Sequence, residues 1–326
     1  MPNYQGVWSL SEQYQNASGW PLPPLVGDIG LFAGGVDSGS AATNTVDYII
    51  ITSAGNAIDF GDVSATNTAM AACSSAVRGV FAGGFVGGST ATNTIDFLTI
   101  NTIGNAVDFG DLTSTAANFS GLSSNVRGIF AGGYRDGVSR TNVIDFVTIA
   151  STGNASDFGD ATAGSYSTAS CASTTRGAFH LGNDGSQYNV INYITIASAG
   201  NATDFGDTTI AADSRTSCSN SVRGLFFGGN LVSTSTAQNT IDYITIASTG
   251  NATDFGDLTV ARRNAAACAN ATVGVCGGGV NFSGPTTYNI LDYVTIASTG
   301  NATDFGDLTI ARRSPASCSN AHGGLA

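Results

Sequence analysis

The chain contains no lysine: all 11 of its basic residues are arginine, set against 23 acidic residues for a net charge of −12. A surface of that sign repels a phosphate backbone, which excludes nucleic acid as a partner. Histidine is nearly missing, with 2 copies, His180 and His322, and neither has a cysteine or histidine at ligand spacing. A catalytic triad or a zinc site therefore has no sequence support. No Cys-x-x-Cys occurs among the 6 cysteines. No apolar run approaches the roughly 18 residues of a membrane span, and no basic stretch with a hydrophobic core opens the chain, so neither a span nor a signal peptide is expected. The 43 glycines follow no Gly-X-Y period, which excludes collagen. No cofactor and no metal is expected.

What is present is repetition. The segment Asp-Phe-Gly-Asp begins at Asp59, Asp108, Asp157, Asp204, Asp254 and Asp304, at intervals of 49, 49, 47, 50 and 50 residues. A period of that size, with short β-like runs inside it, predicts propeller blades rather than a helical solenoid. Each copy has a glycine and aliphatic run ending in a glycine pair, such as GVFAGG from Gly79, and then a variable loop. A β-branched and aromatic run follows, such as NTIDFLTI from Asn93, then a Gly-Asn turn, the Asp-Phe-Gly-Asp strand and a small-residue strand. The expected fold is all-β, a six-bladed propeller of four-stranded blades over residues 26–326. Its first copy lacks the small-residue strand and its C-terminus ends with one, so residues 314–320 are expected to pair beside residues 30–35 and close the ring.

The motifs FAGG, NTIDY and DFGDLT, with Ala-Arg-Arg at Ala261–Arg263 and Ala311–Arg313, resemble the kelch repeat. Phe60, Phe109, Phe158, Phe205, Phe255 and Phe305 stand where a kelch repeat usually has tryptophan. The resemblance implies a kelch-like propeller.

Residues 1–25 lie outside the repeat and hold both tryptophans and 4 of the 6 prolines. Asn3, Tyr4, Gly6, Val7, Trp8, Ser9, Leu10, Gln13, Tyr14, Gln15, Trp20 and Pro21 resemble the opening of tail-associated and structural proteins of marine tailed bacteriophages. That resemblance implies a virion protein facing the exterior, present in many copies or as a homo-oligomer. Residues 1–25 would be its attachment segment to other virion proteins, with Tyr4, Trp8, Leu10, Tyr14 and Trp20 as contacts.

Comparison of the copies separates scaffold from candidate site. The Asp-Phe-Gly-Asp aspartates supply 12 of the 23 acids and recur in every copy, as a blade-building role requires. A middle-strand acid recurs at Asp47, Asp96, Asp145, Asp242 and Asp292, with Asn192 in the remaining copy, which points to hydrogen bonding rather than obligatory metal ligation. Cys73, Cys171, Cys218, Cys268 and Cys318 share a position that is Leu122 in one copy, so they are expected to be packed free thiols. The arginines before the small-residue strands, Arg262, Arg263, Arg312 and Arg313, are expected to pair with aspartates. Most of the Asn-x-Ser/Thr sequons at Asn16, Asn154, Asn201, Asn251, Asn270 and Asn301 coincide with the Gly-Asn turn, and turn chemistry explains their recurrence.

The copies diverge between the glycine pair and the middle strand, where loops of a propeller share one face. Tyr134, Arg135, Asp136 and Arg140, with Tyr188, Phe282 and Tyr288 as flat contact area, are the candidate binding residues, and their chemistry suits a host-surface glycan or protein. No catalytic residue is assigned. The expected function is a non-enzymatic virion structural or adhesion protein, with a glycan-active enzyme or an assembly and decorating module as the alternatives. Acids in the variable loops are sparse, namely Asp37, Asp136 and Asp184, which favours binding or structure over hydrolysis.

Overall fold

A computed structural model of the chain describes residues 24–138, 140–183, 189–231, 233–281 and 286–325. It is a β-propeller, and its only helical element among the described residues is a 3-10 turn at Gly323–Leu325. In the first repeat Ile29–Ala33 pairs with Thr45–Ile50, which pairs with Ile58–Asp62. The C-terminal strand Ala316–Ser319 completes that sheet from the other side, in register Gly30↔Ser319 to Ala33↔Ala316. The first repeat and the last strand thus meet in one sheet, as the missing first strand implied.

The number of blades differs from expectation. Five four-stranded blades are present, not six. The strands of the second repeat belong instead to a seven-stranded sheet. Its strands Thr90–Thr99 and Val107–Ala117 run to 10 and 11 residues, where the first repeat has 6 and 5. The extra length is rich in threonine and alanine and has no proline to end it. Phe85–Val86 folds back onto it, and Ala116 and Ala117 reach Arg135 and Tyr134 of the third repeat, so the second repeat is fused to its surroundings. The inner strands of the five blades and of this larger sheet, Ala71–Ser74 among them, pack side by side around the axis.

Between neighbouring sheets the core is a series of interlocked layers. The phenylalanine of each Asp-Phe-Gly-Asp is buried edge-on against an aromatic of the middle strand, as with Phe60 against Tyr48, centroids 6.0 Å apart. Burying such a ring stabilises by about 1.5–3 kcal/mol. The six cysteines are free and buried, as expected. The inner-strand thiols fit against glycines of the next sheet: a Cβ on Gly30 would lie 2.5 Å from the Cys268 sulfur, and one on Gly79 would lie 3.0 Å from that of Cys318.

The outer edge of each sheet is tied to the turn of the next. The Asn105 Oδ1 accepts from the Asp62 N–H at 3.1 Å, and Asn154, Asn201, Asn251, Asn301 and Asn56 do the same around the ring. The sequon asparagines Asn154, Asn201, Asn251 and Asn301 are therefore turn and latch residues. Gly61, at φ +140°, could carry no side chain, because a Cβ there would lie 2.5 Å from the Gly104 carbonyl oxygen.

Buried polar contacts make the second tie. The hydroxyl of Thr309, at the exit of one outer strand, donates to Asp47 of the next sheet at 2.6 Å. Thr113 to Asp145, Thr162 to Asn192, Thr209 to Asp242, Thr259 to Asp292 and Ser64 to Asp96 repeat this contact. Four of the aspartates also hold a buried guanidinium: Arg312 with Asp47 at 2.8 Å, Arg262 with Asp292 at 2.9 Å, Arg215 with Asp242 at 2.6 Å and Arg135 with Asp145 at 2.5 Å. Arg262 and Arg312 thus form the ion pairs expected of them.

Candidate functional site

Antiparallel strand order brings the variable loops and the links between sheets to the same face. The base of each loop is pinned to a link. Val36 and Asp37 pair with Arg313 and Arg312, Asn67 and Thr68 with Val86 and Phe85, and Ala116 and Ala117 with Arg135 and Tyr134. Single bridges join Tyr166 to Asn183, Asp213 to Asn230 and Arg263 to Val280. The loops thus rise from fixed points, although their sequences differ.

On this face the third repeat gathers aromatic, acidic and basic side chains among the described residues. Tyr134 is half-buried and lies against Phe85 of the second repeat, ring centroids 5.9 Å apart at 50°. Asp136 is exposed, in the left-handed region at φ +46°, and its Oδ1 accepts from the Thr115 hydroxyl at 2.9 Å and the Thr115 N–H at 3.1 Å. Arg140 is half-buried with its guanidinium 5.6 Å from the centre of the half-buried Tyr166 ring. Phe85, Tyr134, Asp136, Arg140 and Tyr166 thus belong to loops and links of neighbouring repeats.

Two members of this group, Phe85 and Tyr166, were missed in the sequence. Phe85 holds the same repeat position as Tyr134, directly after the glycine pair, and a column-by-column reading would have found it. Tyr166 lies in a link rather than in a variable loop, so loop divergence gives no signal for it.

The other candidates fall elsewhere. Arg135 is not a surface contact: it is 2% exposed, paired with Asp145, with its Nε donating to the Gly132 carbonyl at 3.1 Å. Tyr288 is half-buried in the sixth repeat, three repeats away from the third either way round the ring, where its main chain closes its own loop through Gly279. Tyr188 and Phe282 lie outside the described residues, as do Asp184 and the segment residues Tyr4, Trp8, Leu10, Tyr14 and Trp20.

Two small cavities, of about 60 Å³ and about 110 Å³, lie between the inner strands of small residues, and serine hydroxyls along the axis donate to carbonyls of the preceding strand, as Ser74 does to Ser319 at 2.7 Å. His322 closes one mouth: its Nε2 lies 3.2 Å from the Ser123 hydroxyl and 3.3 Å from the Ser74 carbonyl, and its Nδ1 accepts from the Gly324 N–H. Desolvation pushes this imidazole down to about 4. The buried thiols move the other way, Cys171 to about 12 and Cys276 to about 11, which keeps them protonated and unreactive at neutral pH. Among the described residues no group of three or more His, Cys, Asp or Glu could hold a metal ion, and no helix is long and apolar enough to cross a membrane.

No protein-family model matches the chain, and no curated protein matches it.

Proposed function

We propose that the chain is a non-enzymatic, kelch-like propeller of a virion that presents its variable-loop face to a host-surface glycan. The observation that carries this reading is the half-buried Phe85 and Tyr134 pair, set on pinned loop bases beside Asp136 and the Arg140 and Tyr166 pair. Flat rings held by a rigid scaffold lose little conformational entropy on binding, and neighbouring carboxylate and guanidinium groups supply hydrogen bonds to hydroxyls. The opening motif that resembles marine phage proteins supports the virion setting, with residues 1–25 as the attachment segment and many copies in one assembly. Glycoside hydrolysis asks for two facing carboxylates. The described loop acids instead brace the loop face, Asp37 accepting from the Ala41 N–H of its own loop at 2.9 Å and Asp136 from Thr115 of the second repeat.

The test is binding of the full chain to a glycan array and to host cells, alongside Tyr134→Ala and Phe85→Ala. Each variant is expected to weaken binding about 10-fold or more with the circular dichroism spectrum unchanged. Equal binding by wild type and both variants, or no binding by any, rejects this face as the recognition surface. An assembly or decorating role then takes its place.

A further inference from the structure

The buried acidic position of the middle strand is charge-matched in every repeat but the second. Asp47, Asp145, Asp242 and Asp292 each hold a guanidinium. The fourth repeat has no arginine there and carries the neutral Asn192, whose Oδ1 takes the Thr162 N–H and hydroxyl. The second repeat keeps the carboxylate without the arginine. Asp96 is 7% exposed; its Oδ2 accepts from the Ser64 N–H at 3.0 Å and hydroxyl at 2.6 Å, while its buried Oδ1 has no hydrogen-bond partner.

Each route by which a guanidinium reaches this place is closed in the second repeat. Arg312 and Arg262 correspond to Asn67, whose amide donates to the Gly83 carbonyl at 2.8 Å. Arg215 corresponds to Met70, and Arg135 to Val86. The chain has no lysine, and no ion pair to Asp96 forms among the described residues. A carboxylate buried without a counter-charge is strongly unfavourable, and the sister repeats show which atoms complete the cradle. Arg312 donates to the carbonyls of Phe32 and Thr45, and Arg262 to those of Cys276 and Ile290. The same positions of the second repeat are Phe81 and Thr94, with Phe81 opposite Asp96 in the ladder as Phe32 is opposite Asp47.

We infer that the second repeat binds a monovalent alkali-metal cation in place of the guanidinium, on Asp96 Oδ1 and the main-chain carbonyls of Phe81 and Thr94. All three donors are hard oxygens, which suit such an ion. One carboxylate is to be neutralised, so a single charge balances the site, whereas a divalent ion would leave a buried excess of positive charge.

The test uses the full chain, exchanged into tetramethylammonium chloride and titrated with sodium or potassium chloride at constant ionic strength, with the thermal unfolding midpoint as the readout. The wild-type midpoint is expected to rise by about 2–4 °C. Asp96→Asn, which copies the arrangement of the fourth repeat, is expected to fold and to lose the response. Asn67→Arg, which places an internal guanidinium where Arg262 and Arg312 carry theirs, is expected to lose it too. The proposal fails if the wild-type midpoint is the same in tetramethylammonium and alkali-metal salts, if Asp96→Asn keeps the response, or if only divalent ions produce it.

Discussion

Asn192 is the residue that explains the buried ring of acids. Its amide oxygen receives the same hydroxyl contact that the aspartates receive, which is why a neutral side chain can stand there. That part was legible in the sequence, since five copies with Asp and one with Asn signal hydrogen bonding. The guanidinium partners were legible only where they came from Ala-Arg-Arg. Arg135 reaches the same place from a variable loop and Arg215 from another link position, so no single column of the repeat marks them. Removing one partner alone leaves the other buried and charged. Arg312→Met is expected to destabilise the fold by about 3–5 kcal/mol. Combining it with Asp47→Asn, which recreates the chemistry of Asn192, is expected to recover most of that loss. Urea unfolding of the two variants and wild type checks this, and a double variant no more stable than Arg312→Met alone would show that packing rather than charge sets the cost.

Strands and their order were legible because glycine pairs, β-branched runs and Gly-Asn turns recur on a fixed period. The blade count was not. The second repeat loses its discrete four-stranded form through extra pairings on the loop face, of Phe85–Val86 with Thr90–Thr99 and of Ala116 and Ala117 with Arg135 and Tyr134, contacts that repeat spacing cannot reveal. The C-terminal element was half legible: the closing strand was expected, while the tail that turns under it to place His322 at the mouth of the axis was not. That placement has a pH consequence. Burial lowers the imidazole from 6.5 to about 4, so between those values the unfolded chain takes up a proton that the folded one refuses. Stability is complete above about pH 6.5 and is lost as pH falls towards 4. Because His322 keeps part of its surface in water, the slope is smaller than the about 1.4 kcal/mol per pH unit of a fully buried group. His322→Gln is expected to flatten the dependence over this window. Parallel curves for variant and wild type, from chemical unfolding at several pH values, would mean that the tail does not hold its imidazole neutral.

Across the whole molecule the charges are sorted by depth. Among the described residues Arg135, Arg215, Arg262 and Arg312 each neutralise a buried aspartate, and because each pair is neutral the net charge of −12 rests on the remaining residues. Arg78, Arg127, Arg176 and Arg223 are also directed inward, each over an aromatic ring and donating to a carbonyl of the next sheet, as Arg78 does to Ile149 at 3.0 Å. The acids of Asp-Phe-Gly-Asp stand on the outer edge, the first of each pair exposed and the second half-buried. The rim is thus a belt of like charge whose repulsion works against the closed ring. Raising salt from about 10 mM to about 150 mM shortens the screening length from about 30 Å to about 8 Å, which weakens the repulsion summed around the belt. The thermal midpoint is therefore expected to rise with ionic strength. It should do so in tetramethylammonium chloride and in Asp96→Asn as well, since screening of the belt needs no specific ion. A midpoint that stays flat or falls over this range in Asp96→Asn would mean that the rim carboxylates are too far apart, or too well solvated, to strain the ring.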